Sequence, residues 1–157
     1  MKANIGLTDG NSHAVATELN KLLADEYVLY TKTRNAHWNV EGPDFHSKHL
    51  FFEDQFGELD EILDGVAERI RSLGHYAPAT LKGFLDLTHF SERLHEKNDA
   101  PGFITELLSD HESLIIRLRE KINFFANDLA DLGTSDYVTG LMEKHEKMAW
   151  MLKAHLK

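Results

Sequence analysis

Apolar residues recur at steps of three and four along nearly the whole of this chain, and only a few short stretches of helix-breaking residues interrupt them. Those stretches are Gly42-Pro43, the segment from Gly74 through Pro78 to Gly83, Asp99-Ala100-Pro101-Gly102, and Gly133-Thr134-Ser135. The spacing between them predicts four long helices. The first covers 12–39, with Val15, Leu19, Leu22, Leu23, Leu29 and Tyr30 on its apolar side. The second covers 44–73 and carries Phe52, Phe56, Leu59, Leu63, Val66 and Ile70. The third opens at Pro101, suited to the first helical position behind a capping Asp99, and runs to 132. The fourth follows a Thr134/Ser135 cap and carries Val138, Leu141, Met142, Met148, Ala149 and Leu152.

Residues 79–97 are amphipathic enough for a short additional helix between the second and third. The expectation is therefore an all-α fold, a four-helix bundle with one long crossover rather than an up-down bundle with short loops. No strand-like alternation, internal repeat or low-complexity tract is present. At 157 residues the chain is expected to form a single domain, 1–157, with residues 1–12 a flexible lead segment.

Composition narrows the chemistry. The absence of cysteine removes disulfides, thiolate zinc sites, iron–sulfur clusters and cysteine nucleophiles. No apolar run reaches the ~18 residues of a membrane span, and the first residues lack the pattern of a signal peptide. A soluble, cytoplasmic protein is the expectation. The net charge of -9 disfavours phosphate backbones and favours metal cations, and the 10 histidines are an excess for this length.

His37 ends the first helix, while His49, Glu53, Asp64 and Glu68 lie on the second. Imidazole with carboxylate suits Fe(II), Mn(II) or Zn(II), whereas Ca(II) and Mg(II) want oxygen ligands alone. At ~100° per residue, His49, Glu53, Asp60, Asp64 and Glu68 share one stripe of the second helix. His49/Glu53 and Asp64/Glu68 are each one turn apart, so each pair can converge on an ion. The two pairs cannot share one, because 15 residues of helix span about 22 Å. Two copies of the helix, antiparallel and crossing near Gly57, bring His49/Glu53 of one copy to Asp64/Glu68 of the other. Glycine at the crossing permits close backbone approach. Taken by itself, such a face is more often a solvated one laced with ion pairs.

The tract His37-Trp38-Asn39-Val40-Glu41-Gly42-Pro43-Asp44-Phe45 changes the balance. It resembles the H-W-N-V-x-G-x-x-F segment that ends the first helix in the Dps family of mini-ferritins. A second histidine follows 12 residues after His37, at His49, and Asp64-Gly65-Val66-Ala67-Glu68-Arg69 matches that family's D-x-x-x-E-R element. The C-terminal stretch from Gly133 to Trp150 is also of the family's type, so the resemblance covers essentially the whole chain.

The resemblance implies a ferritin-like bundle whose copies pair about two-folds and assemble into a hollow dodecamer. It implies a two-iron ferroxidase centre at which His37 and His49 of one subunit join Asp64 and Glu68 of its mate, with Glu53 at a position where the family often has an acid that helps bind or bridge iron. It further implies oxidation of Fe(II), preferably by hydrogen peroxide rather than dioxygen, with ferric oxyhydroxide stored inside. The ligands do not discriminate against Zn(II) or Mn(II). Trp38 is expected to shield the site, with a core aromatic as its alternative. Asp128, Asp131 and Asp136 are candidates to line an acidic entry pore, with capping or plain exposure as theirs.

The competing function is DNA binding with iron chemistry secondary, which many members of the family perform through a lysine-rich terminus. Here Lys2 is the only Lys or Arg before Glu18, and Lys153 and Lys157 make a modest basic end, so DNA binding is expected to be weak or absent. Glu92-Arg93-Leu94-His95 matches the E-x-x-H pattern of di-iron bundles, but those need two such motifs on facing helices. It reads as a surface pair, and His111 and His145 read as polar contacts rather than ligands.

Overall fold

The computed structural model describes residues 3–92 and 97–157. Among them the regular elements are α1 (Asp9–Asn39), α2 (Phe45–Ser72), α3 (Leu81–Leu87), α4 (Ala100–Asn123) and α5 (Leu132–Ala154), and no strand is formed. Helices α1 and α2 pair as one hairpin, α4 and α5 as another, and 73–99 cross over between the hairpins. The sequence expectation of an all-helical bundle with a crossover holds.

The apolar stripes meet in a continuous core in which Phe52, Phe103, Phe125, Leu19, Leu29 and Ile70 are completely enclosed. Each such side chain contributes about 1.5–3 kcal/mol relative to exposure. The crossover is fastened to α1 by polar contacts as well as by packing. The buried Asp25 carboxylate accepts from Thr88 Oγ1 and from the His89 N–H, both at 2.7 Å. Tyr27 stacks on Phe84 of α3 at 4.4 Å between centroids. Lys32 joins α1 to α4 through Glu106 at 2.7 Å and through Asp110.

Several helix ends differ from the sequence expectation. Helix α1 starts at Asp9, earlier than 12, because Thr8 caps it by accepting from the Asn11 N–H at 3.1 Å. Asn11 and Ser12 are further tied to the Leu129 and Leu73 carbonyls, so residues 9–12 are helix rather than flexible lead. The additional helix is confined to Leu81–Leu87 behind a Thr80 cap. The third helix does not run to 132. It widens into a π turn at Phe124–Asp128, and Ala130, at φ 54, turns the chain. Gly133 is not the breaker but lies in the first turn of α5, whose cap is Asp131 rather than Thr134 or Ser135.

Candidate metal centre

His37 comes from the last turn of α1 and His49 from the first turns of α2, across a tight connection in which Gly42 adopts φ 133. That positive φ, unfavourable for any residue with a Cβ, folds the two helix ends against each other. The imidazoles stack at 3.8 Å between centroids with 22° between their planes. His37 Nδ1 lies 2.8 Å from the His49 carbonyl oxygen, and His49 Nδ1 lies 2.8 Å from the His37 carbonyl oxygen. A carbonyl only accepts, so each Nδ1 must be the N–H. In both neutral rings the lone pair is therefore left on Nε2, the arrangement that backbone carbonyls impose on metal-binding histidines.

Apolar and cationic neighbours frame the pair. Phe56 meets His37 edge-on at 5.1 Å, and Phe45 lies 5.2 Å from His49. The Arg34 guanidinium is held over Phe56 at 4.5 Å, over Trp38 at 4.9 Å and over Tyr30 at 5.6 Å. Trp38 is 64% exposed, which rules out the core alternative for it. It stands beside His37 in the chain and covers one face of Arg34.

Glu53, Asp60, Asp64 and Glu68 are all exposed, on the side of α2 opposite its buried residues Phe52, Leu59, Ile62, Val66 and Ile70. Gly57 is exposed among them, and no described atom outside its own helix turn lies within 4 Å of where its Cβ would sit. Within one chain the structure brings His37 to His49 and leaves Asp64 and Glu68 further along the helix. Among the described residues no three His, Asp or Glu side chains of one chain gather around a single point.

The acidic half of α2 is braced from behind. Arg69 donates to Thr134 Oγ1 through Nε at 3.0 Å and through Nη2 at 2.9 Å, and Nη2 also reaches Asp131 Oδ1 at 3.2 Å. Tyr137 of α5 sits against Gly65, where a Cβ would fall 2.8 Å from the Tyr137 hydroxyl oxygen. Burial, with the Glu26 and Glu68 carboxylates adding, pushes the Tyr137 phenol up to about 12.

Asp131 is buried, and it accepts from the Thr134 N–H at 2.9 Å while pairing with Arg69. Its carboxylate is committed to the helix cap, which corrects its place among the pore candidates. Asp128 and Asp136 are exposed. Glu92 lies in the crossover outside any helix, and His95 is outside the described residues.

His111 and His145, expected from the sequence to make polar contacts, do so in the bundle core, where they meet Glu26, a residue that the sequence reading did not single out. Glu26 of α1, His145 of α5 and His111 of α4 are fully enclosed. Glu26 Oε1 is 2.8 Å from His145 Nε2, and His145 Nδ1 is 3.0 Å from His111 Nδ1. Glu26 Oε2 and His111 Nε2 have no hydrogen-bond partner among the described residues. Burial, with His145 adding, holds His111 well below the usual imidazole range. A signal for burial was present, since each residue falls inside its helix's apolar stripe: Glu26 between Leu23 and Leu29, His111 between Leu107 and Leu114, His145 between Leu141 and Met148.

The ferritin-like domain family matches residues 16–157. A DNA protection during starvation protein of Bacillus anthracis is 36% identical over 138 residues, covering 88% of this chain and 93% of that protein. The chain belongs to the Dps family of ferritin-like proteins. A low-temperature-induced protein of Nostoc is 42% identical over 155 residues, covering 99% of this chain and 87% of its own length. The crystal structure of the Vibrio cholerae Dps protein, described as a member of the ferritin-like diiron-carboxylate superfamily, superposes with a TM-score of 0.91. That protein is 32% identical, with 100% of this chain and 98% of the other covered. The Dps bundle here carries the stacked histidine pair at the junction of its first two helices.

Proposed function

We propose that this Dps protein detoxifies and stores iron by oxidising Fe(II) at centres shared between two copies of the chain. The observation that carries the reading is the reciprocal pinning of His37 and His49, which frees both Nε2 atoms for metal. The outward stripe of Asp64 and Glu68 supports the second half of the site. An antiparallel crossing of two α2 helices at Gly57 would bring the halves together and form two equal centres. Glu53 lies one turn beyond His49 and adds a carboxylate to the histidine side.

Iron is the substrate. Two Fe(II) ions give up one electron each to a molecule of hydrogen peroxide, which with two protons becomes two molecules of water. Carboxylates from one chain stabilise the Fe(III) product, while the neutral imidazoles of the other retain Fe(II). Hydrolysis then deposits ferric oxyhydroxide in the cavity of a dodecamer. Dioxygen is the slower oxidant, and Zn(II) and Mn(II) compete for the same ligands. Asp128 and Asp136 line the acidic entry, Trp38 and Arg34 screen the centre, and the protein works in the cytoplasm. With a net charge of -9, DNA binding is weak.

Rapid mixing of anaerobic Fe(II) with stoichiometric peroxide tests the chemistry. The pair His37→Ala/His49→Ala is expected to slow oxidation with the assembly intact, as is Asp64→Ala/Glu68→Ala. Co-assembly of the two inactive variants tests the sharing. Random pairing restores about a quarter of the centres, because every mixed dimer holds one intact site. No recovery on mixing would refute a centre built across two chains.

A further inference from the structure

A second pair of imidazoles lies away from this centre, at the end of the bundle where α1 begins and α2 ends. His13 on α1 faces His75 in the segment after α2, with ring centroids 5.7 Å apart and planes inclined at 60°. His13 is exposed and His75 half-buried.

His75 is fixed at three points. Its backbone N–H donates to the Ile70 carbonyl at 3.3 Å, its own carbonyl accepts from Arg71 Nη1 at 2.8 Å, and its Nε2 lies 3.0 Å from Ser12 Oγ. The Ser12 hydroxyl already donates to the Leu73 carbonyl at 3.0 Å. A hydroxyl has one hydrogen, so towards His75 Ser12 Oγ accepts, and His75 Nε2 must be the N–H. The lone pair of the neutral ring is thereby left on Nδ1. A hydrogen bond that sets the tautomer of an imidazole is the usual companion of a metal ligand.

Two imidazoles bound tetrahedrally to one divalent ion, with metal–nitrogen bonds of about 2 Å, place their ring centres on the order of 5 Å apart. Rotation of the exposed His13 ring closes the small remaining difference. Ser12 and His75 line a cavity of about 280 Å³, so solvent and an ion can reach the His75 side of the pair. Neutral imidazoles favour Zn(II), Co(II), Ni(II) and Cu(II) over Mg(II) or Ca(II).

We propose that His13 and His75 form a transition-metal site, separate from the His37–His49 centre, that clamps the start of α1 to the chain leaving α2. Water completes the coordination.

Calorimetric titration with Zn(II) at pH 7.5 tests the site, using assembled protein in which His37→Ala/His49→Ala has removed the imidazoles of the shared centre. This background is expected to bind Zn(II) and to gain thermal stability from it. Adding His13→Ala should weaken that binding at least about tenfold and abolish the thermal gain, while Ser12→Ala, which frees the tautomer, should cost about 10–100-fold. His13 is exposed, so its variant tests the ligand without disturbing the core, and His75→Ala serves as the second ligand variant. Zn(II) affinity unchanged by both histidine substitutions would overturn the proposal. The shared iron centre stands or falls on oxidation rates instead, so the two failures are distinguishable.

Discussion

Replacing His111 by glutamine should remove one specific component of this protein's sensitivity to acid. His111 is fully enclosed, it meets His145 Nδ1 at 3.0 Å, and its Nε2 has no hydrogen-bond partner among the described residues. Burial first, and His145 second, hold its folded pKa well below the ordinary 6.5. The unfolded chain therefore binds a proton that the folded chain refuses. The stability that this neutral ring contributes is fully present above pH 6.5 and is lost as pH falls through that value. The limiting slope is about 1.4 kcal/mol per pH unit for one group. Between pH 6.5 and 5.5 the integrated loss is about 1 kcal/mol per subunit. Glutamine keeps an amide donor for His145 Nδ1 and does not titrate. Urea unfolding at pH 7.5, 6.5 and 5.5, with both proteins at one concentration, isolates the effect as a difference of differences. The wild type should lose about 1 kcal/mol more than His111→Gln over the acid step. Parallel curves for the two proteins would mean that His111 is protonated in the fold and that the core triad has been misread.

Asp131→Ala should lower the unfolding free energy by about 1–3 kcal/mol, since it removes the α5 cap and strands the Arg69 guanidinium, with thermal melts as the readout. Gly65→Ala should destabilise by about 1–3 kcal/mol, because its Cβ would meet the Tyr137 hydroxyl at 2.8 Å, and Tyr137→Phe in the same chain should relieve most of that. Gly57→Ala meets nothing within its own chain, so a gain of about 1 kcal/mol in helix propensity is expected for the isolated subunit. Sedimentation should nonetheless show weakened pairing of copies, and unimpaired assembly would rule out a crossing at Gly57. In gel shifts at neutral pH, binding to duplex DNA should be weak and should vanish as salt rises; tight binding at physiological salt would return DNA to the centre of the function.

Much of the centre was legible because its components are local. His37, the glycine turn and His49 form one continuous stretch, and Asp64 and Glu68 occur one helical turn apart. Spacing alone therefore puts each pair on one face. Asp131 was misplaced for a reason that spacing cannot reveal. An aspartate before Leu132 can equally face solvent or cap a helix, and the choice depends on Arg69 arriving from α2 and on the π turn that shifts the end of α4. Trp38 was ambiguous in the same way, since its exposure depends on how Arg34 and Phe56 fill the space beside it.

The sequence by itself determined the helices, their order, the long crossover and the placing of His49, Glu53, Asp64 and Glu68 on one face of α2. These follow from periodicity and chain length, which act between residues close along the chain. Only the tertiary structure decided the histidine tautomers, since each Nδ1 is committed by a carbonyl on the other helix. The same holds for the buried line of Glu26, His145 and His111, whose members lie on three helices and meet only when the two hairpins close. Hydrogen bonds act over about 3 Å, so contacts between residues distant in sequence are written in the packing.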